Sequence, residues 1–374
     1  MSDCLSLYIG RNYMAQESFT TLEHLGREGL IERIKQLGLD HHERILHGIG
    51  DDAAVISAEA NQNQVYSTET FTEGVDFDLT FMPIHHLGAK VVMAACSDIC
   101  AMNAAPKWIM VNLALPNRIS LEFMDALYQG IAQACKDLNI YLIGGDLTGS
   151  HHAFGITVTA IGEVQPEQVV TRSGAKKDDA ICVTGDLGGA LAGLKILLRE
   201  KKHWETSGEE VMQPDLSDYE YVVQRQLLPV CRYDIIKAFH ENEIYPTAMI
   251  DLNQGLIKEL IAMMKASDAA AYIYEAALPV SPLTREVANE LQENVDQFSL
   301  YGGEDYELMF TLPEESVERF AKLFKDFVVI GKLIDDKPGS VTMQTAEGEQ
   351  LAFNHPDEGG DTASPSDING NSNK

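Results

Sequence analysis

The pattern of apolar and polar positions predicts alternating helices and strands over the first half of the chain. Leucine and isoleucine recur every three or four residues over 21–37, which is typical of an amphipathic helix. The predicted helices are 21–37, 83–103 and 120–138, and the predicted strands are 64–68, 107–115, 140–143 and 154–164, with a further strand ending at 56. Strands that alternate with helices in this way indicate an α/β or α+β domain.

The pattern resets near Gln165-Pro166, which predicts a domain boundary. A glycine-rich segment at 185–189 should open a helix that ends at Leu198, with main-chain amides able to hold an anion, and 199–218 should be a polar loop with a short helix. Later strands are predicted at 180–184, 248–250, 271–274 and 308–312, and later helices at 232–242, 254–265, 283–293 and 314–324. We expect an N-terminal extension at 1–18, an N-terminal domain at 19–165, a C-terminal α/β domain at 166–356 and a disordered acidic tail at 357–374.

Charge excludes one class of partner and constrains another. The 374 residues are 45% hydrophobic and carry a formal net charge of −29. This charge argues against nucleic acid, and a negatively charged substrate would be repelled unless cations mediate its binding. No apolar run approaches the ~20 residues that span a bilayer, and the first residues lack the features of a secretory signal. We therefore expect a cytoplasmic chain that does not enter membranes.

Oxygen-bearing side chains collect near the ends of several predicted strands. A glycine turn delivers Asp51 and Asp52, and the following strand ends in Ser67, Thr68 and Glu69. Further carboxylates, each beside a small residue or an apolar run, are Asp98, Asp146 and Asp251. Hard oxygen ligands suit Mg²⁺. Their number favours a polyphosphate site whose negative charge is neutralised by metal ions.

Most of these residues also have a plain structural explanation. Asp52 could belong to an ordinary turn, and Asp146 could cap a strand end. Arg172 could form a structural ion pair instead of binding a phosphate, and Glu304 could simply belong to a glycine turn. Asp98 is harder to explain in this way, because a carboxylate inside an apolar helix needs a partner if it is buried.

The familiar signatures of other chemistries are missing from the sequence. The segment 188–195 has the wrong spacing for a phosphate-binding loop of the Walker A type, and no GxGxxG follows a strand. The histidines fall in surface-like pairs such as His41-His42 and His151-His152, so no nucleophile, base and acid triad is evident. No catalytic side chain is predicted.

Eight short motifs, taken together, resemble the thiamine-monophosphate kinase family in order and spacing, and the likeness covers about 19–333. The motifs are Gly-Ile-Gly-Asp-Asp-Ala-Ala-Val from 48, Ser-Thr-Glu-Thr from 67, Ser-Asp-Ile-Cys-Ala-Met-Asn from 97, Ile-Gly-Gly-Asp-Leu-Thr from 143, Arg-Ser-Gly-Ala-Lys from 172, Val-Thr-Gly-Asp-Leu-Gly from 183, Met-Ile-Asp-Leu from 249 and Gly-Gly-Glu-Asp-Tyr-Glu-Leu from 302. Taken as a set they are highly specific.

The resemblance implies both a fold and a reaction. The fold would be the two-domain one shared with aminoimidazole ribonucleotide synthetase and selenophosphate synthetase, in which an ATP- and metal-binding N-terminal domain pairs its sheet across a homodimer into a barrel. The reaction would move the γ-phosphoryl group of ATP to thiamine monophosphate, giving the diphosphate without a covalent enzyme intermediate. Several Mg²⁺ ions would supply alignment and charge neutralisation. Because the acceptor is already a phosphate, no strong general base is required.

The resemblance also assigns roles to single residues. Glu304 would lie near the thiamine moiety, and the ATP contacts would be Gly145, Asp146 and Arg172. The implied magnesium ligands are Asp52, Ser67, Thr68, Glu69, Asp98, Asp146 and Asp251.

Several residues depart from the family pattern. Glu69 replaces an aspartate, Asp76 stands where a substrate-contacting histidine is typical, and Asn253 and Gln254 replace a serine and an aspartate. Gln254 offers a carbonyl oxygen but no charge, so a metal there should bind more weakly. Two alternatives follow: a catalytically impaired nucleotide-binding homologue, or a related ATP-dependent enzyme that acts on another small substrate.

Overall fold

The computed structural model describes residues 26–47, 49, 55–207 and 214–353. Contacts divide these residues into two units. The first comprises the described residues up to Ile99 together with Ala105–Pro166 and Ile196–Asp218. The second comprises Cys100–Ala104, Glu167–Lys195 and the described residues from Tyr219 onwards. No helix of the described residues is long and apolar enough to cross a membrane.

The first unit is built on a four-stranded sheet with the strand order β3-β6-β4-β5. β4 and β5 pair in parallel through the crossover helix α3, and the other neighbours are antiparallel. Its elements are α1 Gly26–Lys35, β1 Ile45–His47, β2 Val55–Ile56, β3 Asn63–Thr72, α2 Ile84–Ala101, β4 Ala105–Pro116, α3 Leu121–Leu138, β5 Tyr141–Ser150 and β6 Gly155–Val164. As predicted, Ser120 caps α3, because its side chain accepts a hydrogen bond from the Phe123 amide.

The two faces of this sheet differ in polarity. Val111, Ile156 and Val158 are buried on one face, whereas Thr68 and Thr70 are exposed on the other. Period-two alternation along each strand produces this division. We call the face that bears the threonines the open face.

Helices α2 and α3 cross at two glycines. A Cβ atom at Gly88 would lie 2.1 Å from the Leu127 carbonyl oxygen, and one at Gly130 would lie 1.9 Å from the His85 carbonyl oxygen. These distances leave no room for a side chain. The glycines therefore set how closely the two helices pack.

The second unit is built on a seven-stranded sheet with the order β13-β12-β9-β11-β7-β10-β8, in which β12 and β9 pair in parallel and the other neighbours are antiparallel. Its core contains Ile250, Leu260 and Met309. The elements are β7 Ala180–Thr184, α4 Gly189–Ser207, α5 Glu220–Leu227, α6 Tyr233–Asn242, β8 Ala248–Leu252, α7 Leu256–Ala266, β9 Ala270–Tyr274, α8 Pro282–Glu290, α9 Val295–Tyr301, β10 Glu307–Leu312, α10 Glu314–Phe320, β11 Phe327–Ile334, β12 Val341–Gln344 and β13 Gln350–Phe353. The last part of α4 falls in the first unit.

Several predicted boundaries differ from the observed ones, such as the end of β3 at Thr72 and of α10 at Phe320, and two differ most. The strand expected to stop at 143 continues to Ser150, because Gly145 lies opposite Val111 in the ladder. A Cβ there would be 1.8 Å from the Val111 carbonyl oxygen, so the glycine serves the strand and does not end it. The helix expected to end at Leu198 continues to Ser207. The expected extension at 1–18 and tail at 357–374 lie outside the described residues.

Replacing Gly130 by alanine should lower the free energy of unfolding by about 1–3 kcal/mol, because the new methyl group must push α2 away from α3. Denaturant unfolding monitored by circular dichroism measures the change. Gly149→Ala is the matched control, since nothing lies within 4 Å of a Cβ at that position. Equal stability of the two variants would contradict the close crossing.

Candidate active site

Three of the predicted metal ligands meet where α2 lies beside β3. The Ser67 hydroxyl donates a hydrogen bond to Oδ2 of Asp98. Burial raises the pKa of Glu69 to about 7, and the charge of Asp98, a hydrogen bond with Asp98 and the charge of Asp76 add to this effect. Strand alternation places Ser67 and Glu69 on the same face. Asp98, which the sequence indicated would need a partner, has one in Ser67.

This group, Ser67, Glu69 and Asp98, has the chemistry of a magnesium site. Its donors are two carboxylates and a hydroxyl, which are the hard oxygen ligands that Mg²⁺ prefers. Burial, and after it the charge of Asp98, raise the pKa of Glu69, so a second negative charge here is unfavourable without a cation. A divalent ion would remove that repulsion, so these residues fit the implied metal.

Thr68 lies between Ser67 and Glu69, but its side chain is on the open face. Its Oγ1 is 3.2 Å from Oγ1 of Thr159, and the next threonine on that face, Thr70, is 3.0 Å from Thr157 in the same way. The hydroxyl of Thr68 therefore does not share the side of the strand on which Asp98 lies. Its role as a ligand stays a prediction.

Asp146 lies at the opposite edge of the same sheet. It is exposed on β5 and stands in one row across the sheet with Asn112, Thr157 and Thr70. Three interstrand spacings separate the edge strands β3 and β5, or roughly 14 Å. Within the described parts of the chain, no group of three histidine, cysteine or acidic side chains could by itself hold a metal ion. Asp52 lies outside those parts.

The remaining predicted residues lie in the second unit, around the edge strand β8. Asp251 is buried within β8, opposite Leu308. The segment that bears Arg172 lies beside β8, since the Met249 amide donates a hydrogen bond to the Thr171 carbonyl over 3.0 Å. Arg172 itself is exposed.

The loop that bears Glu304 packs against the end of the same strand. The Glu304 amide donates to the Asn253 carbonyl over 2.8 Å, and the Tyr306 amide donates to the Leu252 carbonyl over 3.1 Å. Asp251 and Glu304 are therefore brought to the same end of β8. Arg172 approaches this strand along its length.

A buried ion network behind Glu304 was not predicted from the sequence. Glu307 accepts hydrogen bonds from Arg225 over 2.9 Å and from Arg232 over 2.6 Å. Burial raises the pKa of Glu307, and the charges of the two arginines oppose that rise. The only sequence signal is the acidic run Glu304-Asp305-Tyr306-Glu307, whose partners lie far away along the chain.

The anion site predicted at the start of α4 is wrong, because Asp305 occupies it. Its carboxylate accepts hydrogen bonds from the amides of Gly188, over 2.8 Å, and Ala190, over 3.2 Å. Burial raises the pKa of Asp305 to about 7, against the opposing charge of Arg225. The chain thus fills this helix terminus with its own side chain, and the terminus is not open to a ligand.

Two of the departures from the family pattern make local contacts. The Asp76 carboxylate accepts a hydrogen bond from the Thr72 amide over 2.7 Å, which stabilises the turn after β3. The ammonium of Lys258, on α7, donates a hydrogen bond to the side-chain carbonyl of Gln254, which precedes that helix. Gln254 therefore places its carbonyl oxygen beside a cation of the protein itself.

Comparison with known proteins places the chain in a family. Residues 50–164 match the family described as AIR synthase related protein, N-terminal domain. A thiamine-monophosphate kinase of Bacillus subtilis (strain 168) is 31% identical over 325 residues, which cover 84% of this chain and 95% of the relative. The structure of thiamine-monophosphate kinase from Stenotrophomonas maltophilia K279a has a TM-score of 0.71 at 30% identity, covering 86% of this chain and 96% of that one. A structure described as AaThiL complexed with AMPPCP and TMP has a TM-score of 0.67 at 28% identity, covering 89% and 97%.

The fold and the acidic site thus define a two-domain protein of the AIR synthase-related class. Within that class, the chain belongs to the thiamine-monophosphate kinase family.

Glu69 should make the metal-free protein less stable as pH rises. The folded state favours protonated Glu69, with a pKa of about 7 against an ordinary value of 4.5. The unfolded chain therefore loses its proton first, and stability falls between these two pH values. Glu69→Gln cannot titrate, so its stability relative to the unaltered chain should rise across this interval and level off above about pH 7.

Chemical denaturation of both proteins at several pH values, with a chelator present, measures this difference. Glu43→Gln, which removes an exposed carboxylate of the same unit, is the control. Adding Mg²⁺ above about pH 7 should stabilise the unaltered chain more than Glu69→Gln. If the stabilities of the unaltered chain and Glu69→Gln changed in parallel with pH, the raised pKa of Glu69 would be contradicted.

Proposed function

We propose that the chain transfers the γ-phosphoryl group of ATP to thiamine monophosphate, forming thiamine diphosphate with the help of several Mg²⁺ ions. The observation that carries the proposal is the group of Ser67, Glu69 and Asp98, in which facing carboxylates need a cation. A relative of 28% identity, described as complexed with AMPPCP and TMP, supports the choice of substrates. AMPPCP is an analogue of ATP that is not hydrolysed between its last two phosphates.

The residues of the chain would act mainly by binding and orientation. Bound Mg²⁺ would neutralise the phosphate oxygens and draw the two substrates into line. Ser67, Glu69 and Asp98 would hold ions in the first unit, and the buried carboxylate of Asp251 would hold an ion in the second. The acceptor phosphate is already ionised at neutral pH, so the reaction needs no side chain to remove a proton. This fits the sequence, in which no histidine stood out as a base.

Other residues would recognise the ends of the substrates. The exposed guanidinium of Arg172 and the main chain at Gly145 would contact ATP, together with Asp146. The carboxylate of Glu304 would face the thiamine moiety, whose thiazolium ring carries a permanent positive charge. The domain at 19–165 would supply most of the metal ligands, and the domain at 166–356 would supply Asp251 and Glu304.

We propose that the chain forms a homodimer, because its acidic residues lie at opposite edges of one sheet. Asp146 on β5 is roughly 14 Å from β3 within one chain. If two open faces met and the sheets closed into a barrel, β5 of one chain would lie beside β3 of the other. The partner's Asp146 would then come beside Thr68, on the strand that also carries Ser67 and Glu69. Thr68, whose hydroxyl lies on the open face, would face the inside of that barrel.

A cytoplasmic location suits a reaction that consumes ATP. The described cysteines give further support, since reduced thiols are typical of that compartment. All five are buried and unbridged: Cys96, Cys100, Cys135, Cys182 and Cys231.

A second candidate function is a nucleotide-binding homologue with impaired catalysis. The specific observation in its favour is Gln254, whose uncharged carbonyl meets the ammonium of Lys258 where a metal-binding carboxylate would be expected. Activity measurements distinguish the two candidates.

Turnover should require both substrates and the metal. We expect the purified chain to form thiamine diphosphate from thiamine monophosphate, ATP and Mg²⁺, and to stop when the metal is chelated. Chromatography with fluorescence detection of the oxidised thiamine product measures the rate. The double substitution Asn253→Ser with Gln254→Asp should raise kcat by restoring a charged ligand. Binding of ATP without any diphosphate product would favour the impaired homologue.

Mixing two inactive variants should test the shared site. Asp98→Asn and Asp146→Asn should each lose roughly 100-fold in kcat, because each removes a charge that holds a metal ion. After the two are unfolded and refolded together, half of the dimers would be mixed, and each mixed dimer would contain one intact site. Activity should then recover to about a quarter of the unaltered level. No recovery, despite exchange of chains shown by differently tagged proteins, would mean that each site lies within one chain.

A further inference from the structure

We infer that Gln226 is a positioning residue for substrate recognition, because its side-chain amide holds the carboxylate of Glu304 in place for the thiamine moiety. This inference rests on the proposed function and adds a residue to it. Gln226 lies on α5, 78 positions before Glu304 in the chain. The motifs that point to the family do not include it.

The backbone around Glu304 is held in a restricted conformation. Glu304 has a φ of 63° and Tyr306 a φ of 52°, in the left-handed region of the backbone that residues other than glycine rarely adopt. Hydrogen bonds from these two residues to the carbonyls of Asn253 and Leu252 fix the loop against β8. At Gly303 a Cβ would lie 2.5 Å from the Asn253 carbonyl oxygen, so the loop cannot withdraw to admit a side chain there. Strained loops held in this way are common at functional sites.

The side chain of Glu304 is oriented by a different element. Nε2 of Gln226 donates a hydrogen bond to Oε2 of Glu304 over 2.9 Å. Gln226 is buried, whereas Glu304 is only partly buried. The carboxylate therefore has one oxygen directed to the protein interior and retains exposure for a ligand. β8 positions the main chain of Glu304, and α5 positions its charge.

Helix α5 is itself rigidly placed. Arg225, the neighbour of Gln226, binds Glu307 over 2.9 Å and the Asp186 carbonyl over 2.9 Å. On the other side, a Cβ at Gly193 of α4 would lie 2.0 Å from the Val222 carbonyl and 3.0 Å from Cβ of Gln226. An orienting group mounted on such a fixed element can hold its partner within the narrow range that recognition needs.

The chemistry of an amide suits a carboxylate that must stay negative. A lysine or arginine at this position would orient Glu304 equally well, but it would also neutralise it. Gln226 donates a hydrogen bond without adding charge, so it does not itself offset the charge that a cationic ring would meet. The choice of residue type thus matches the thiazolium part of the proposed substrate, not its phosphate.

Kinetics of two variants test this role. Gln226→Met keeps the length of the side chain but removes the donor, and Gln226→Glu places a second carboxylate against Glu304. We expect Gln226→Met to raise KM for thiamine monophosphate about tenfold, as loss of a supporting hydrogen bond commonly does. Gln226→Glu should raise it further. KM for ATP and kcat should stay within about twofold, because the change is confined to one end of one substrate.

Gln224 supplies the matched control. It lies on the same helix but is exposed, so Gln224→Met and Gln224→Glu should leave both KM values unchanged. Thermal melting of all four variants, together with their KM for ATP, separates loss of folding from loss of recognition. A rise in both KM values in parallel, or a KM for thiamine monophosphate equal to that of the controls, would overturn the inference.

A double-mutant cycle shows whether Gln226 acts through Glu304. In a Glu304→Gln background, Gln226→Met should change KM for thiamine monophosphate by less than about twofold, since the charge to be positioned is already gone. A further tenfold loss there would overturn the inference while leaving the proposed function intact. If the unaltered chain forms no thiamine diphosphate, the proposed function fails, and this inference fails with it.

Discussion

The structure depends on one electrostatic constraint: negative side chains are placed close together where they repel one another. Glu69 and Asp98 face each other between β3 and α2, and burial together with the charge of Asp98 raises the pKa of Glu69 to about 7. A protein rarely keeps such an arrangement for stability, because it weakens the folded state at neutral pH. The arrangement becomes favourable when a divalent cation is bound. Stability is thus lost at a position that offers the hard oxygen donors of a cation site.

A second acidic region, in the second unit, has cationic and amide partners for its carboxylates. Asp305 and Glu307 in the second unit are also buried, but arginines and main-chain amides surround them. These carboxylates are satisfied inside the protein and serve to fix the loop of Glu304. The surroundings of the two acidic groups therefore differ: arginines offset the buried charges of Asp305 and Glu307, whereas Glu69 faces a second carboxylate. Glu304, held by the neutral amide of Gln226, lies between these two cases.

The sequence predicted the elements that have a strong local signal. The cap at Ser120, the strand at 180–184 and the helix at 120–138 are found close to their expected limits. β12 and β13 were not predicted, since strands of four residues gain their stability from neighbours distant in sequence. β11 was also missed, although its apolar run Phe327–Ile334 is a local signal for a buried strand. The sequence interpreted Gly144-Gly145 as the end of a strand. Gly145 is required there because the carbonyl of Val111 on the neighbouring strand leaves no room for a side chain, and no local pattern reveals that contact. The amides at the start of α4 were expected to be open, because nothing nearby in sequence reveals Asp305. The sequence indicated that Asp98 needs a partner if it is buried, but only the fold identifies that partner as Ser67.

The occupied start of α4 has a consequence for how anions approach the chain. Many nucleotide-binding folds offer the amide end of a helix as a ready receptor for bare phosphate. Here Asp305 fills that position, and the chain has a strong excess of acidic residues. A triphosphate that arrives without its counterions meets a repulsive surface and finds no receptor at this terminus. Any phosphate group that this chain holds must therefore find its hydrogen-bond donors elsewhere in the fold.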